Sequence, residues 1–166
     1  TKHSEAEMGG LAKNLIIYNL HKLTPDHPTI RKLHAEIRKM FTENIKCPFI
    51  FVNTRMWNTK PNAELDGPNS MHVDGFEAGH QKIMIYLTPM DFENGYLKFG
   101  DGQEINNCSS GKAVLFSNSD ILHSGVPGLQ NERKAIEVTI MHAFLSSPQL
   151  NNSHFFGRHL LDPVIA

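Results

Sequence analysis

The chain has 166 residues, 40% of them hydrophobic, which is the size of one ordinary domain with enough apolar material for a continuous core. Sixteen basic residues against seventeen acidic ones leave a formal net charge of −1, so bulk charge supplies neither a basic face for nucleic acid nor an acidic tail. Two cysteines, Cys47 and Cys108, are too few for a disulfide framework and lack the C-x-x-C spacing of a zinc site; no run approaches the roughly 20 apolar residues of a membrane helix. With no charged-then-apolar leader pattern at the N-terminus, these features predict a soluble, cytoplasmic protein with no nucleic-acid or membrane partner. The chain opens at Thr1 rather than a methionine, which is compatible with residues preceding it. Oligomeric state is not written in these features.

Residues 24–45 read as a helix: Thr24 can cap it, Pro25 suits a first turn, and Ile30, Leu33, Ile37, Met40, Phe41 and Ile45 recur at helical spacing. Its apolar stripe would cover one face of a sheet. From Pro48 onward the texture changes to short β-type runs at about 49–57, 82–88, 95–99, 112–117 and 134–143. Between them lie turn signals such as Pro61-Asn62, Asp66-Gly67-Pro68, Glu93-Asn94-Gly95, Gly100-Asp101-Gly102 and Ser110-Gly111. Many short strands predict a sandwich or barrel rather than a parallel α/β sheet. The expected organisation is a single domain, with residues 1–47 as helical support, 48–144 as a β-barrel and 145–166 as a C-terminal tail, of which 145–158 reads as a polar loop. Of ten histidines, His3, His21, His27, His34, His154 and His159 sit among polar or helical residues and read as solvated; the informative ones lie between positions 70 and 125.

His72-Val73-Asp74 places two metal-competent side chains at i and i+2, which a strand's alternation would put on one face. Such a tripeptide is common by chance, but His123, beyond three further predicted strands, can return beside it. Two histidines and a carboxylate make the facial triad that leaves three positions open on iron(II). Downstream, a turn-rich loop delivers Arg133 to the mouth of the strand Ala135-Ile136-Glu137-Val138-Thr139-Ile140. Pointing into a barrel, Arg133 needs an anionic partner, and a carboxylate bound bidentately is the natural one; pointing outward, it closes a hairpin in solvent.

If Arg133 points inward, alternation sends Ala135, Glu137 and Thr139 inward with it and leaves Ile136, Val138 and Ile140 for the outer packing layer. Glu137 would then pair with Arg133, another internal base or a cationic substrate group, unless a bulge turns it outward. Asn53, Arg55 and Trp57 alternate on one face of an earlier strand and are candidates for a substrate wall, with Trp57 alternatively a core residue. The polar stretch 58–71 suits a mobile rim and a source of selectivity.

From about Asn53 to Phe144 the combination is more specific than its parts. In order and spacing, His72-Val73-Asp74, Ile85-Tyr86-Leu87, Gly95-Tyr96-Leu97-Lys98-Phe99, Gly111-Lys112-Ala113-Val114-Leu115-Phe116, His123 and Arg133-Lys134-Ala135-Ile136 resemble the catalytic barrel of the 2-oxoglutarate/Fe(II)-dependent dioxygenase superfamily, in its prolyl-hydroxylase-like and phytanoyl-CoA-dioxygenase-like branches. The resemblance implies a mainly β fold, a double-stranded β-helix (jelly-roll, cupin-like barrel) with N-terminal helical support. It assigns Fe(II) to His72, Asp74 and His123 and the C5 carboxylate of 2-oxoglutarate to Arg133, with Tyr86 and, less directly, Thr88 assisting. Tyr86 is otherwise a core aromatic.

The implied activity is a hydroxylase that consumes O2 and 2-oxoglutarate and releases succinate and CO2. Asp74 stands where halogenating relatives carry a small residue, which points to hydroxylation or desaturation. A chain with little beyond the barrel favours a small-molecule substrate over a peptide, though the triad does not name it. Two other readings stay open: a cupin-type metal-binding barrel, such as an isomerase or ligand-binding protein, that does not use 2-oxoglutarate, and a non-catalytic sugar-binding jelly roll.

Overall fold

Period-two alternation along the β-type runs resolves into two antiparallel sheets. The computed structural model describes residues 2–3, 15–20, 27–44, 48–75, 80–142 and 159–161. In chain order the elements are β1 (Lys2–His3), β2 (Leu15–Asn19), α1 (Pro28–Asn44), β3 (Phe49–Thr59), β4 (His80–Tyr86), β5 (Gly95–Phe99), β6 (Glu104–Ile105), β7 (Ala113–Phe116), β8 (His123–Pro127), β9 (Arg133–His142) and β10 (His159–Leu161). The larger sheet has the order β1-β2-β3-β9-β4-β7-β10 and the smaller β6-β5-β8, a jelly-roll arrangement of mainly β character. Among the described residues no helix is long and apolar enough to cross a membrane.

The larger sheet has two differently used faces. Ile83 and Ile85 of β4, Ala113 and Leu115 of β7, and Ile136, Val138 and Ile140 of β9 form one apolar cluster with Leu33 and Ile37 of α1. The helix therefore covers the outer face, as its apolar stripe predicts, and Ile136, Val138 and Ile140 make the outer layer. On the other face, Tyr86, Val114, Phe116 and Ala135 pack with Leu97 and Phe99 of β5 between the sheets. Each strand thus divides its residues by parity, one set facing the helix and the other the interior.

Several boundaries differ from the sequence reading. Helix α1 begins at Pro28, whose missing N–H costs nothing at a first turn, and Arg31 N–H donates to the His27 carbonyl at 3.1 Å. Thr24, Pro25 and Ile45 lie outside the described residues, as does the side chain of Phe41. The first 47 residues are not purely helical, because β1 and β2 extend the larger sheet beyond β3. At the other end β10 pairs with β7, so that part of the tail is a sheet strand, while 145–158 lies outside the described residues. His34 is not solvated: its Nε2 lies 2.7 Å from Thr54 Oγ1 and its ring stacks on Phe51 at 4.0 Å. The remaining surface histidines of the sequence reading divide: His27 is exposed, whereas the side chains of His3, His21, His154 and His159 lie outside the described residues.

Candidate metal centre and pocket

His72 and His123 are brought together by backbone, not by alternation along one strand. They form an isolated antiparallel bridge in which each N–H donates to the other's carbonyl at 2.9 Å, placing the ring centroids 4.5 Å apart. His72-Val73-Asp74 is a loop around this bridge. Asp74 is seated by its own N–H, which donates to the Asn118 carbonyl at 2.8 Å, and the donor atoms of His72, Asp74 and His123 all lie within 4.8 Å of one another. Among the described residues this is the one group of three or more metal-competent side chains so disposed.

The two imidazoles are oriented in the same way. Nδ1 of His72 donates to the Ser70 carbonyl at 2.8 Å and Nδ1 of His123 to the Ile121 carbonyl at 2.9 Å. Carbonyls only accept, so each Nδ1 carries the proton and each Nε2 turns toward the shared position. Burial and then the neighbouring Lys82 ammonium push His123 down to about 4, so its imidazole is neutral and able to ligate at ordinary pH. Burial pushes the Asp74 carboxyl up, but His72, the Lys82 ammonium and Asn118 outweigh it and hold the group ionised well below the usual carboxylate range. Its Oδ2 accepts from Asn118 Nδ2 at 2.8 Å and faces Lys82 Nζ at 2.5 Å, while Oδ1 lies 3.3 Å from His72 Nε2. Two imidazoles with their Nε2 atoms turned inward and one carboxylate oxygen fit a divalent first-row ion.

Behind this group lies a pocket lined by Trp57, Pro68, Met84, Tyr86, Leu97 and Arg133, among others. Arg133 is buried, at 6% exposure, and its partners are all neutral: the Val126 carbonyl at 3.0 Å, Thr59 Oγ1 at 3.2 Å, the Tyr96 carbonyl at 3.4 Å and Asn69 Oδ1 at 3.5 Å. Burial pushes its pKa down, and no acidic side chain among the described residues compensates it. Gly125 allows this placement, since a Cβ there would lie 2.5 Å from both Nη1 and Nη2. Beside Arg133, Tyr86 is fully buried with no hydrogen-bond partner for its hydroxyl among the described residues, and burial raises it to about 12. A buried guanidinium and an orphaned hydroxyl on one cavity suit a carboxylate ligand.

The other expected residues divide. Register pairs Thr59 with Arg133, Trp57 with Ala135, Arg55 with Glu137 and Asn53 with Thr139, so all face inward. Trp57 and Glu137 line the pocket; Asn53 and Thr139 lie beyond it, each with a buried side-chain oxygen lacking a partner among the described residues. Thr88 is a correction: β4 ends at Tyr86 before Pro89, and Thr88 Oγ1 accepts from the Lys134 N–H at 3.2 Å instead of facing the cavity. The stretch 58–71 is anchored rather than free, since Asn62 N–H donates to the Gly128 carbonyl at 2.8 Å and Asn69 is 2% exposed with Nδ2 on the Glu64 carbonyl. Glu137 takes Arg55 on Oε1 and lies 3.3 Å from Lys82 Nζ through Oε2, and burial against these cations still leaves it ionised. Lys82, Thr59, Asn69 and Asn118 were not anticipated. Lys82 carried a signal, for it shares strand parity with Met84 and Tyr86; Asn118 carried none.

No protein-family model matches the chain, and no curated protein matches it in sequence. Solved structures do. The carbocyclase SnoK from nogalamycin biosynthesis, described as non-heme and alpha-ketoglutarate-dependent, is 15% identical, with a TM-score of 0.61 over 83% of this chain and 70% of that one. A viral collagen prolyl hydroxylase from Paramecium bursaria Chlorella virus-1, in complex with 2-oxoglutarate, is 16% identical with a TM-score of 0.58 over 78% and 80%. HygX from Streptomyces hygroscopicus, with nickel, 2-oxoglutarate and hygromycin B bound, is 10% identical with a TM-score of 0.56 over 95% and 86%. The chain therefore has the fold of the 2-oxoglutarate- and iron-dependent oxygenases.

Proposed function

We propose that the protein is an Fe(II)- and 2-oxoglutarate-dependent dioxygenase that hydroxylates a C–H bond of a small molecule, with release of succinate and CO2. One observation carries the reading: a buried guanidinium without a carboxylate partner among the described residues shares a cavity with His72 and His123, two of three converging metal donors. A metal-binding isomerase or ligand-binding barrel explains the donors but leaves Arg133 and the Tyr86 hydroxyl without a purpose.

His72 Nε2, His123 Nε2 and one oxygen of Asp74 would hold the metal, and the Asp74 oxygen bound by Lys82 and Asn118 is kept from chelating through both atoms. Bound iron(II) would supply oxygen activation coupled to oxidative decarboxylation of 2-oxoglutarate, one oxygen atom passing to succinate and the other to the substrate. Arg133 grips the far carboxylate of the cosubstrate and Tyr86 donates to it, which orients the keto-acid end toward the metal donors. Trp57, Met84, Leu97 and Ala135 exclude water from that end. The hygromycin B bound to HygX supports a small-molecule substrate here. A cytoplasmic location belongs to the same reading, supported by the scarcity of cysteine.

Anaerobic addition of Fe(II) and 2-oxoglutarate should produce a visible charge-transfer band that His72→Ala and His123→Ala abolish. Absence of the band, together with a melting temperature unmoved by metal plus 2-oxoglutarate, would refute the proposal and favour the binding-barrel alternative.

A further inference from the structure

Among the described residues, three cations face the interior around two carboxylates. Arg133 is spoken for by the cosubstrate under the functional reading above, on which this inference rests. The remainder is Arg55, Glu137, Lys82 and Asp74, joined in a row. Arg55 Nε donates to Glu137 Oε1 at 3.0 Å and its Nη2 contacts the same oxygen; Lys82 Nζ lies 3.3 Å from Glu137 Oε2 and 2.5 Å from Asp74 Oδ2. Lys82 also lies 3.4 Å from His123 Nε2, which sets its ammonium beside the metal-facing donors. Lys82 and Glu137 are 5% and 3% exposed, so neither charge is screened by bulk water.

Glu137 is one carboxylate between two cations. With a divalent metal drawing on Asp74 and the dianionic cosubstrate bound, the metal and cosubstrate charges cancel. Arg55, Lys82 and Arg133 then exceed Asp74 and Glu137 by one positive charge. A buried cation in excess is costly unless an anion meets it. The excess falls on Lys82, which lines the pocket with Trp57 and Glu137, and on the half-buried Arg55, whose guanidinium lies over the Trp57 ring at 5.0 Å from its centroid.

We infer that the substrate is a small organic acid whose carboxylate docks against the Lys82 ammonium, with Arg55 and Glu137 holding that ammonium in place. Lys82 is then the residue that selects substrate charge, and the carbon presented for oxidation is one close to the carboxylate, because Lys82 adjoins the metal donors. Glu137 acts through Lys82 and Arg55 as a positioning residue.

The test uses the full chain loaded anaerobically with Fe(II) and saturating 2-oxoglutarate, so the Arg133 end is already filled. Matched probes are hexanoate against hexanamide, 3-phenylpropanoate against 3-phenylpropanamide, and hexylamine as the cationic control. Binding is read by perturbation of the charge-transfer band and by calorimetry. The expected result is that acids bind at least tenfold more tightly than their amides, that hexylamine does not bind, and that Lys82→Met reduces the acid preference to within threefold while Lys82→Arg retains it. A normal band with amides or amine binding as well as the acids overturns this inference and leaves the oxygenase reading standing. So does an acid preference that survives in Lys82→Met. Failure of the band to form sinks the oxygenase reading and this inference with it. If Lys82→Met does not fold by circular dichroism, the wild-type acid, amide and amine comparison decides by itself.

Discussion

Replacing Arg133 by methionine separates ligand recognition from folding. In the ligand-free protein the change removes two well-formed hydrogen bonds, at 3.0 Å to the Val126 carbonyl and 3.2 Å to Thr59 Oγ1, each worth about 1 kcal/mol. It also removes a buried cation that no carboxylate among the described residues compensates, a relief on the order of a few kcal/mol. The two effects oppose each other, so ligand-free stability should change by less than about 2 kcal/mol. Binding is different. A bidentate guanidinium–carboxylate contact consists of two charge-assisted bonds of about 1.5–3 kcal/mol each, so its loss should weaken 2-oxoglutarate by about 100-fold or more. At a cosubstrate concentration 100 times the wild-type Kd, wild type gains about 2.7 kcal/mol of stability and the variant only about 0.4 kcal/mol. Denaturant titration with and without cosubstrate, in the presence of Fe(II) without oxygen, measures both quantities. A variant Kd within threefold of wild type would show that the guanidinium does not bind the diacid.

Gly125→Val should disturb the same contact from the opposite side, since a Cβ there meets the Arg133 guanidinium at 2.5 Å. The expected effect is a rise of at least tenfold in the Kd for 2-oxoglutarate with metal binding retained, and unchanged cosubstrate affinity would contradict it. For the metal-free protein, His123 predicts acid lability: its folded pKa of about 4 lies below the unfolded value of about 6.5. The unfolded chain therefore binds the proton first as pH falls, and stability drops between about 6.5 and 4, by roughly 3 kcal/mol at most. His123→Gln should flatten that segment of a stability-against-pH curve measured by urea unfolding, and an unaltered slope would rule the assignment out.

Regular strands made much of this legible. On β9 the alternation holds from Arg133 to Ile140 without interruption, so one assumption about Arg133 correctly sends Glu137 inward and Ile136, Val138 and Ile140 to the helix. The same logic run backward along β4 from Tyr86 reaches Lys82, whereas run forward it reaches Thr88, past the point where the strand stops. The convergence of His72 and Asp74 was legible as chemistry but not as geometry, because the tripeptide is a loop, in which the bond of the Asp74 N–H to the Asn118 carbonyl does what strand parity was expected to do. The Arg55–Glu137 pairing depends on the register of β3 on β9, which shifts at an irregularity between Phe51 and Asn53. Nothing in the residue types marks that shift. Among the outer strands, Leu15-Ile16-Ile17-Tyr18 has plain β composition that a helical assignment of 1–47 overlooks, while Lys2–His3 and His159–Leu161 are too short to announce themselves.

The parity of β3, β4 and β9 also makes the molecule easy to retool. Variation confined to Asn53, Met84 and Thr139 reshapes the interior while leaving the Arg55–Glu137 pair and the seam of isoleucine and valine against α1 intact. A combinatorial library drawn on those alternate letters should keep a high fraction of folded members, and new specificities can be sought there without repairing the scaffold.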